Sequence, residues 1–460
     1  MTASTTPSSA PAAVDAIRAA VERELPAVLS DLRALVRIPS VSALPSAAED
    51  VRRSAEATAE LLRGCGLQVE MLEVDGGAPA VLGRAPAPAG APTVLLYAHH
   101  DVQPTGNPAD WTSAPFEPTE RDGRLFGRGA ADDKAGILAH VAALRALGED
   151  LRVGVTVLIE GEEEIGSPTL PAFLECYRDK LAADVMVLAD STNWAVGQPA
   201  LTTSLRGLAD CEVEVRTLRH GVHSGMYGGP VPDALTALAR LLATLHDEQG
   251  NVAIEGLGGS PAQDPGMDEA QLRADAGVLD GVALLGTGSL PERLWTRPAV
   301  AVIGLDAPRV EEASNTLVPA ARAKVSLRVP PGTDSAAALD ALVAHLERHV
   351  PWGAQVTVTR GETGQGFSTD ATGAAYDVAR SAFADAWGVR PVDIGVGGSI
   401  PFIAAFAEIF PDASILVTGV EDPDSRAHGN DESLHLGEFA KVCVAEALLL
   451  DRLGPAAAQR

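Results

Sequence analysis

Apolar residues recur at helical spacing from Ala16 to Val36, and Pro39 closes that run. A second helix-period segment spans Val51 to Arg63, with Gly64 and Gly66 as stop signals. Short unbroken apolar runs then appear at Val94–Tyr97, Val153–Ile159 and Val185–Ala189, each bounded by polar or glycine-rich turns. A strand with one wet face would alternate, so unbroken runs predict strands covered on both faces. Helical patterns at Gly136–Leu147 and Leu170–Leu181 separate them.

The register changes after Arg206. From Asp210 to Thr217 the chain alternates, with Cys211, Val213 and Val215 on one face and Glu212, Glu214 and Arg216 on the other. That pattern predicts a strand with a single buried face. A helix at Pro232–His246 follows, then a stretch rich in Gly, Pro and Asp from Gly250 to Pro298. Strands at Ala299–Leu305 and Ala321–Val329, a helix at Asp334–His349 and a strand at Ala354–Thr359 complete a βαββαβ order, that of a ferredoxin-like sandwich. Beyond Ser368 the earlier pattern resumes with helix Ala374–Trp387, strand Ser414–Thr418 and helix Leu436–Leu453. The fold class expected is therefore α/β: a doubly wound domain with a mixed sheet (14–204 and 367–455), carrying an inserted ferredoxin-like domain (205–366).

Composition narrows the partners. The 460 residues include 62 acidic and 35 basic side chains, a formal net charge of −27, which opposes binding to a phosphate backbone. No stretch approaches the ~18 apolar residues of a membrane span. The four cysteines (Cys65, Cys176, Cys211, Cys443) lie far apart and read as small buried residues of a reducing compartment. Met1–Ala13 lacks a basic start and an apolar run, so it reads as a frayed tail and not a signal peptide. The expectation is a cytoplasmic protein without nucleic-acid or membrane partners.

Candidate chemistry sits where apolar strands end. Val94–Tyr97 runs into His99 and Asp101, two apart and so on one side of a strand. A carboxylate beside an imidazole is the usual support of a metal-bound histidine, although an inert strand-end histidine gives the same pattern. Gly127-Arg128-Gly129-Ala130-Ala131-Asp132 precedes a helix, and the plain reading of Asp132 is an N-cap. Val153–Ile159 opens into Glu160, Glu162, Glu163 and Glu164, four acids in five residues that repel one another unless cations neutralise them. A solvated acidic loop is the competing reading. Asp190 follows Val185–Ala189, and His428 follows Ser414–Thr418. Open α/β sheets bind ligands at this carboxyl edge, and imidazole with carboxylate suits zinc, manganese or cobalt.

These segments, in this order, resemble the M20 metallopeptidases, particularly the carnosinase-like and bacterial dipeptidase branch. The likeness runs through Leu35-Val36-Arg37-Ile38-Pro39-Ser40-Val41-Ser42, Ala98-His99-His100-Asp101-Val102-Gln103-Pro104 and Gly127–Lys134. It continues through Glu160–Ser167, His223-Ser224-Gly225-Met226-Tyr227-Gly228-Gly229 and Gly397-Gly398-Ser399-Ile400-Pro401. The resemblance implies two divalent metal ions, zinc first, with manganese or cobalt possible. Asp132 would bridge them, His99 and Asp190 would hold one, and Glu164 and His428 the other. It further implies Asp101 supporting His99, Glu163 as general acid/base, and a cis peptide after Asp132. In the inserted lid and dimerisation domain, His223 would reach a partner subunit's site in a homodimer, Arg328 would grip a substrate carboxylate, and Asn315, Gly398 and Ser399 would contact substrate. Three departures bear on substrate preference: Gly221-Val222 before the His-Ser-Gly, Val396 before Gly-Gly-Ser-Ile-Pro, and Asp431 where an Asn is usual.

The activity so implied is hydrolysis of small dipeptides with a free C-terminal carboxylate, through a metal-activated water. An N-acyl-amino-acid deacylase or desuccinylase would use the same core. A non-catalytic metal-binding protein would have no need of Glu163.

Overall fold

A computed structural model of the chain describes residues 11–398 and 401–457. They form two compact units, one comprising 11–203, 370–394 and 405–457, the other 204–369, 395–398 and 401–404.

Unit 1 is built on a mixed sheet. Its strands lie in the order Gln68–Leu72, Ala80–Ala85, Gly154–Glu160, Thr93–His99, Val185–Leu188, Ser414–Val417 and Ala200–Leu205. The central pairs are parallel, from Gly154–Glu160 across to Ser414–Val417, so those strands all run toward one carboxyl edge. All seven residues of Gly154–Glu160 are buried, as its unbroken apolar run requires. The expected helix at Gly136–Leu147 begins two residues earlier, at Lys134, and is nearly all buried against helices Pro11–Val36 and Leu436–Ala457. Each of Ile137, Leu138, Val141 and Leu144 contributes roughly 1.5–3 kcal/mol by leaving water. Asp133 caps the helix by accepting the Gly136 N–H at 3.2 Å, so the N-cap is Asp133 and not Asp132.

Three features depart from the sequence pattern. The segment Leu170–Leu181 is two short helices, Leu170–Cys176 and Arg178–Leu181, parted at Tyr177, whose hydroxyl donates to the Glu73 carbonyl at 3.1 Å. The antiparallel strands Gln68–Leu72 and Ala80–Ala85 lack an apolar run long enough to announce them. Gly83 belongs in the second of these because a Cβ there would lie 2.9 Å from Leu67 Cδ1. The first helix starts at Pro11, inside the segment expected to fray; residues 1–10 lie outside the described residues.

Unit 2 carries a four-stranded antiparallel sheet ordered Ala299–Asp306, Ala320–Val329, Gly207–Arg216, Gln355–Gly364. With helices Ala234–Ala243 and Ser335–His349 it forms a ferredoxin-like unit. Cys211, Val213 and Val215 are buried together with Ala323, Val325 and Leu327 of the neighbouring strand, the single buried face that alternation called for. On the other face Arg322 pairs with Glu212 at 3.0 Å and Asp306 at 2.6 Å, and Lys324 with Asp210 at 3.3 Å. The Gly/Pro/Asp-rich stretch holds a short helix, Glu269–Asp275, capped by Asp268. Among the described residues no helix is long and apolar enough to cross a membrane.

Candidate metal centre

The strand ends of unit 1 bring His99, Asp132 and Asp190 together in one group, and Asp132, Glu164 and His428 in another; within each, the candidate ligand atoms lie within 4.8 Å of one another. Asp132 belongs to both. Its Oδ1 is 3.1 Å from His99 Nε2 and its Oδ2 is 3.0 Å from His428 Nε2, so one carboxylate spans the two groups. The peptide bond from Asp132 to Asp133 is cis. Glu163 Oε2 and Asp190 Oδ1 lie 3.9 and 4.0 Å from His99 Nε2.

Asp101 does more than face His99. The His99 Nδ1 lies 3.1 Å from the main-chain oxygen of Asp101 and 3.4 Å from its carboxylate. That carboxylate accepts the N–H groups of Glu163 at 3.2 Å and Glu164 at 3.1 Å, so it anchors the 3-10 turn Glu163–Ile165 as well. A single buried acid thereby fixes residues of both groups.

The electrostatics are those of crowded carboxylates. Burial, then the Asp190 charge, pushes the Glu163 carboxyl well above its ordinary range. Burial raises Asp190 to about 7, with Asp132 adding to the shift and His99 opposing it. Burial and the Asp132 charge raise Glu164. Burial would depress His99, but contacts with Asp101 and Asp132 outweigh it and hold the imidazole well above its usual value. His428, the exposed member, is raised chiefly by Asp132 and then Glu164.

These residues fit divalent cations. Glu164 Oε2 is buried and, although 3.1 Å from His428 Nε2, is out of line for a hydrogen bond, which leaves an acceptor that a cation would satisfy. Two imidazoles and three carboxylates also make an N/O donor set suited to zinc or manganese and their neighbours.

One support was not assigned from the sequence. Glu432 is fully buried and accepts the N–H groups of Gly129 (3.0 Å), Ala131 (2.9 Å) and Asp132 (3.1 Å), together with the Arg128 guanidinium at 2.7 Å. Arg128 also donates to the Pro104 and Gly429 carbonyls. This pair ties the segments bearing His99, Asp132 and His428 to each other. A buried Arg within the glycine-rich motif needs a carboxylate, and that was the available signal. The His428 loop has non-glycine residues in the left-handed region at Arg426, His428 and Asp431. Such conformations cost on the order of 1 kcal/mol or more each and persist where surrounding contacts fix them. Asp431 supplies one such contact, accepting the Thr112 N–H and hydroxyl at 2.9 and 2.7 Å.

The remaining candidates lie in unit 2. His223 is exposed and caps helix Ser224–Tyr227, its Nδ1 accepting the Gly225 N–H at 3.0 Å. Asn315 lies beside it, its carbonyl accepting the Ser224 N–H at 2.8 Å. Arg328 sits on Ala320–Val329 opposite Leu208 and Ala299. Gly398 has no close neighbour that a Cβ would strike, while Ser399 lies outside the described residues.

A carboxylate bridging two histidine-containing groups at the carboxyl edge of a mixed α/β sheet defines a metal-dependent hydrolase. The chain belongs to peptidase family M20/M25/M40, whose model matches residues 95–452. It is 38% identical over 431 residues to the cysteinylglycine-S-conjugate dipeptidase of Corynebacterium striatum, covering 92% of this chain and 94% of that one. It is 28% identical over 452 residues to the Beta-Ala-His dipeptidase of Rattus norvegicus, covering 90% of each. The crystal structure of human carnosine dipeptidase 1 superposes with a TM-score of 0.80 at 24% identity, covering 98% of this chain and 100% of that chain, a likeness of fold.

Proposed function

We propose that this protein is a metal-dependent dipeptidase that cleaves small dipeptides bearing a free C-terminal carboxylate. The observation that carries the reading is Asp132 shared between the His99 and His428 groups with Glu163 alongside. The names of the relatives, a Cys-Gly-conjugate dipeptidase and a Beta-Ala-His dipeptidase, support the substrate class.

In this reading His99, Asp132 and Asp190 hold one divalent cation and Asp132, Glu164 and His428 a second, with zinc the first candidate. When bound, such ions polarise the scissile carbonyl and make water a nucleophile at neutral pH. Glu163 takes the proton of the attacking water and delivers it to the leaving nitrogen. Burial and the Asp190 charge raise its affinity for a proton, the direction a general base requires. Asp101 holds Glu163 in place through its N–H. Arg328 binds the substrate carboxylate, Asn315, Gly398 and Ser399 contact the substrate, and His223 stabilises the oxyanion in the partner subunit of a homodimer. Residues 205–366 act as the lid and dimerisation domain, and 14–204 with 367–455 as the catalytic domain. The cysteines, all free, favour a cytoplasmic setting.

The test is hydrolysis of a dipeptide panel by metal-stripped protein before and after zinc, manganese or cobalt. Activity that returns with metal and requires the free carboxylate supports the proposal. Metal binding without dipeptide turnover, but with release of N-acyl groups from acylated amino acids, would replace it with the deacylase reading.

A further inference from the structure

Three arginines of the described residues are buried, and two of them have a carboxylate: Arg128 pairs with Glu432 at 2.7 Å and Arg452 with Asp385 at 2.5 Å. The third, Arg206, has none within ion-pairing distance among the described residues. Only 8% of it is exposed, yet its partners are neutral. Nε donates to the Gly397 carbonyl at 3.1 Å, and Nη1 makes long contacts to the carbonyls of Arg293 and Arg297 at 3.5 and 3.4 Å. Nη2 has no protein acceptor among the described residues.

A guanidinium taken out of water without a counter-anion is expensive, and a second cation beside it makes it more so. That second cation is Arg328. Arg206 directly precedes Gly207, which pairs with Val329, while Leu208 pairs with Arg328, so the two arginines lie two register positions apart on neighbouring strands, toward the same side of the sheet. Burial and the Arg328 charge push Arg206 down to about 10. Among the described residues no carboxylate offsets this.

Glycine at 397 permits the arrangement. A Cβ there would lie 2.7 Å from Arg206 Nη2 and 3.0 Å from the Leu294 carbonyl, so a larger residue would push the guanidinium from its present position.

We propose that Arg206 is a specificity residue whose unpartnered Nη2 binds the substrate's terminal carboxylate jointly with Arg328. The missing counter-anion of the site is the ligand's own. This rests on the dipeptidase reading for the identity of the anion, while the anion site itself rests only on the unbalanced charge. It follows that discrimination for a charged C-terminus comes from two guanidinium groups, the first of them held in orientation by the Gly397 carbonyl.

The experiment compares metal-loaded wild type with Arg206→Gln, Arg206→Lys and Gly397→Ala on a dipeptide and on the same dipeptide as its C-terminal amide. The quantity read is the ratio of kcat/KM for the acid to that for the amide. Loss of a charge-assisted hydrogen bond predicts that Arg206→Gln lowers this ratio roughly ten- to a hundred-fold, mainly through KM for the acid. Arg206→Lys, which keeps charge without the fork, falls between, and Gly397→Ala shifts the ratio the same way with the guanidinium still present. Equal losses on acid and amide in all three would mean a purely structural arginine and overturn the proposal. If the wild type cleaves neither compound, the dipeptidase reading fails on its own. The anion site is then judged by calorimetric titration with inorganic sulfate: binding to wild type that Arg206→Gln loses supports it, and equal binding or none by wild type overturns it.

Discussion

At the scale of single residues, two carboxylates in the same crowded space have opposite duties. Glu163 is half-buried close to other acids and belongs to neither ligand group, in keeping with the proposed proton-moving role. Replacing it with Gln keeps the shape and removes the base. Glu163→Gln should lower kcat by ~10²–10⁴-fold while metal content stays that of wild type. Near-wild-type turnover in a variant with full metal content would remove Glu163 from the role. Asp101 instead spends its carboxylate on two N–H groups. Asp101→Asn sets an amide NH2 against one of those donors, so metal affinity measured by calorimetry should weaken by ~10–100-fold. Unchanged affinity would mean that the Glu163–Ile165 turn holds its place without Asp101. Both acids were visible in the sequence because they follow apolar strands. The hydrogen bonds that the turn's N–H groups donate to Asp101 were not, because residues 101 and 163 meet only when two strands lie side by side.

At the scale of elements, buried polar pairs lock helices to the sheet. His140, in the helix Lys134–Leu147, faces a hydrogen-bond acceptor at both ring nitrogens: Nδ1 lies 2.7 Å from the Glu446 carboxylate of the last helix and Nε2 lies 3.1 Å from the Tyr97 carbonyl of the central strand. Burial lowers the imidazole's basicity, but the Glu446 charge and its hydrogen bond outweigh that and leave the pKa above the ordinary 6.5. A pKa raised by folding stabilises the native state fully below the unfolded value and loses that stabilisation as pH rises through the folded value. The stability gap between wild type and Glu446→Gln, read from urea melts, should therefore be widest below about pH 6.5 and narrow as the solution becomes alkaline. A gap independent of pH over that window would show that His140 is neutral throughout. Periodicity gave the helix, the strand and the last helix separately. The role of His140 was not legible there, since a helix's own pattern does not reveal what packs on it.

For the whole molecule, the proposed homodimer makes a prediction that no single chain can satisfy. If His223 of one subunit completes the partner's site, a heterodimer of Glu163→Ala and His223→Ala subunits contains one intact site. Mixing the two inactive homodimers under exchanging conditions should recover up to about half the activity per heterodimer formed, with purified, tagged heterodimer as the sample. Verified heterodimer that stays inactive would show that His223 serves its own subunit or none. The exposed position of His223 and its Nδ1 cap to Gly225 leave Nε2 without a hydrogen bond among the described residues, in keeping with that role.

The sequence by itself determined the class of each unit. Unbroken apolar runs demand a sheet buried on both faces, and strict alternation at Cys211, Val213 and Val215 demands one with a single buried face. It also determined the set of polar residues at the strand ends, because a charged residue directly after a buried strand must emerge at its edge. Tertiary structure alone decided which of these residues meet. The sharing of Asp132 between His99 and His428, the cradle that Glu432 forms around the glycine-rich loop and the unbalanced charge of Arg206 all depend on segments separated by up to several hundred residues. Such pairings follow from strand order and loop geometry, which local hydrophobic periodicity does not encode.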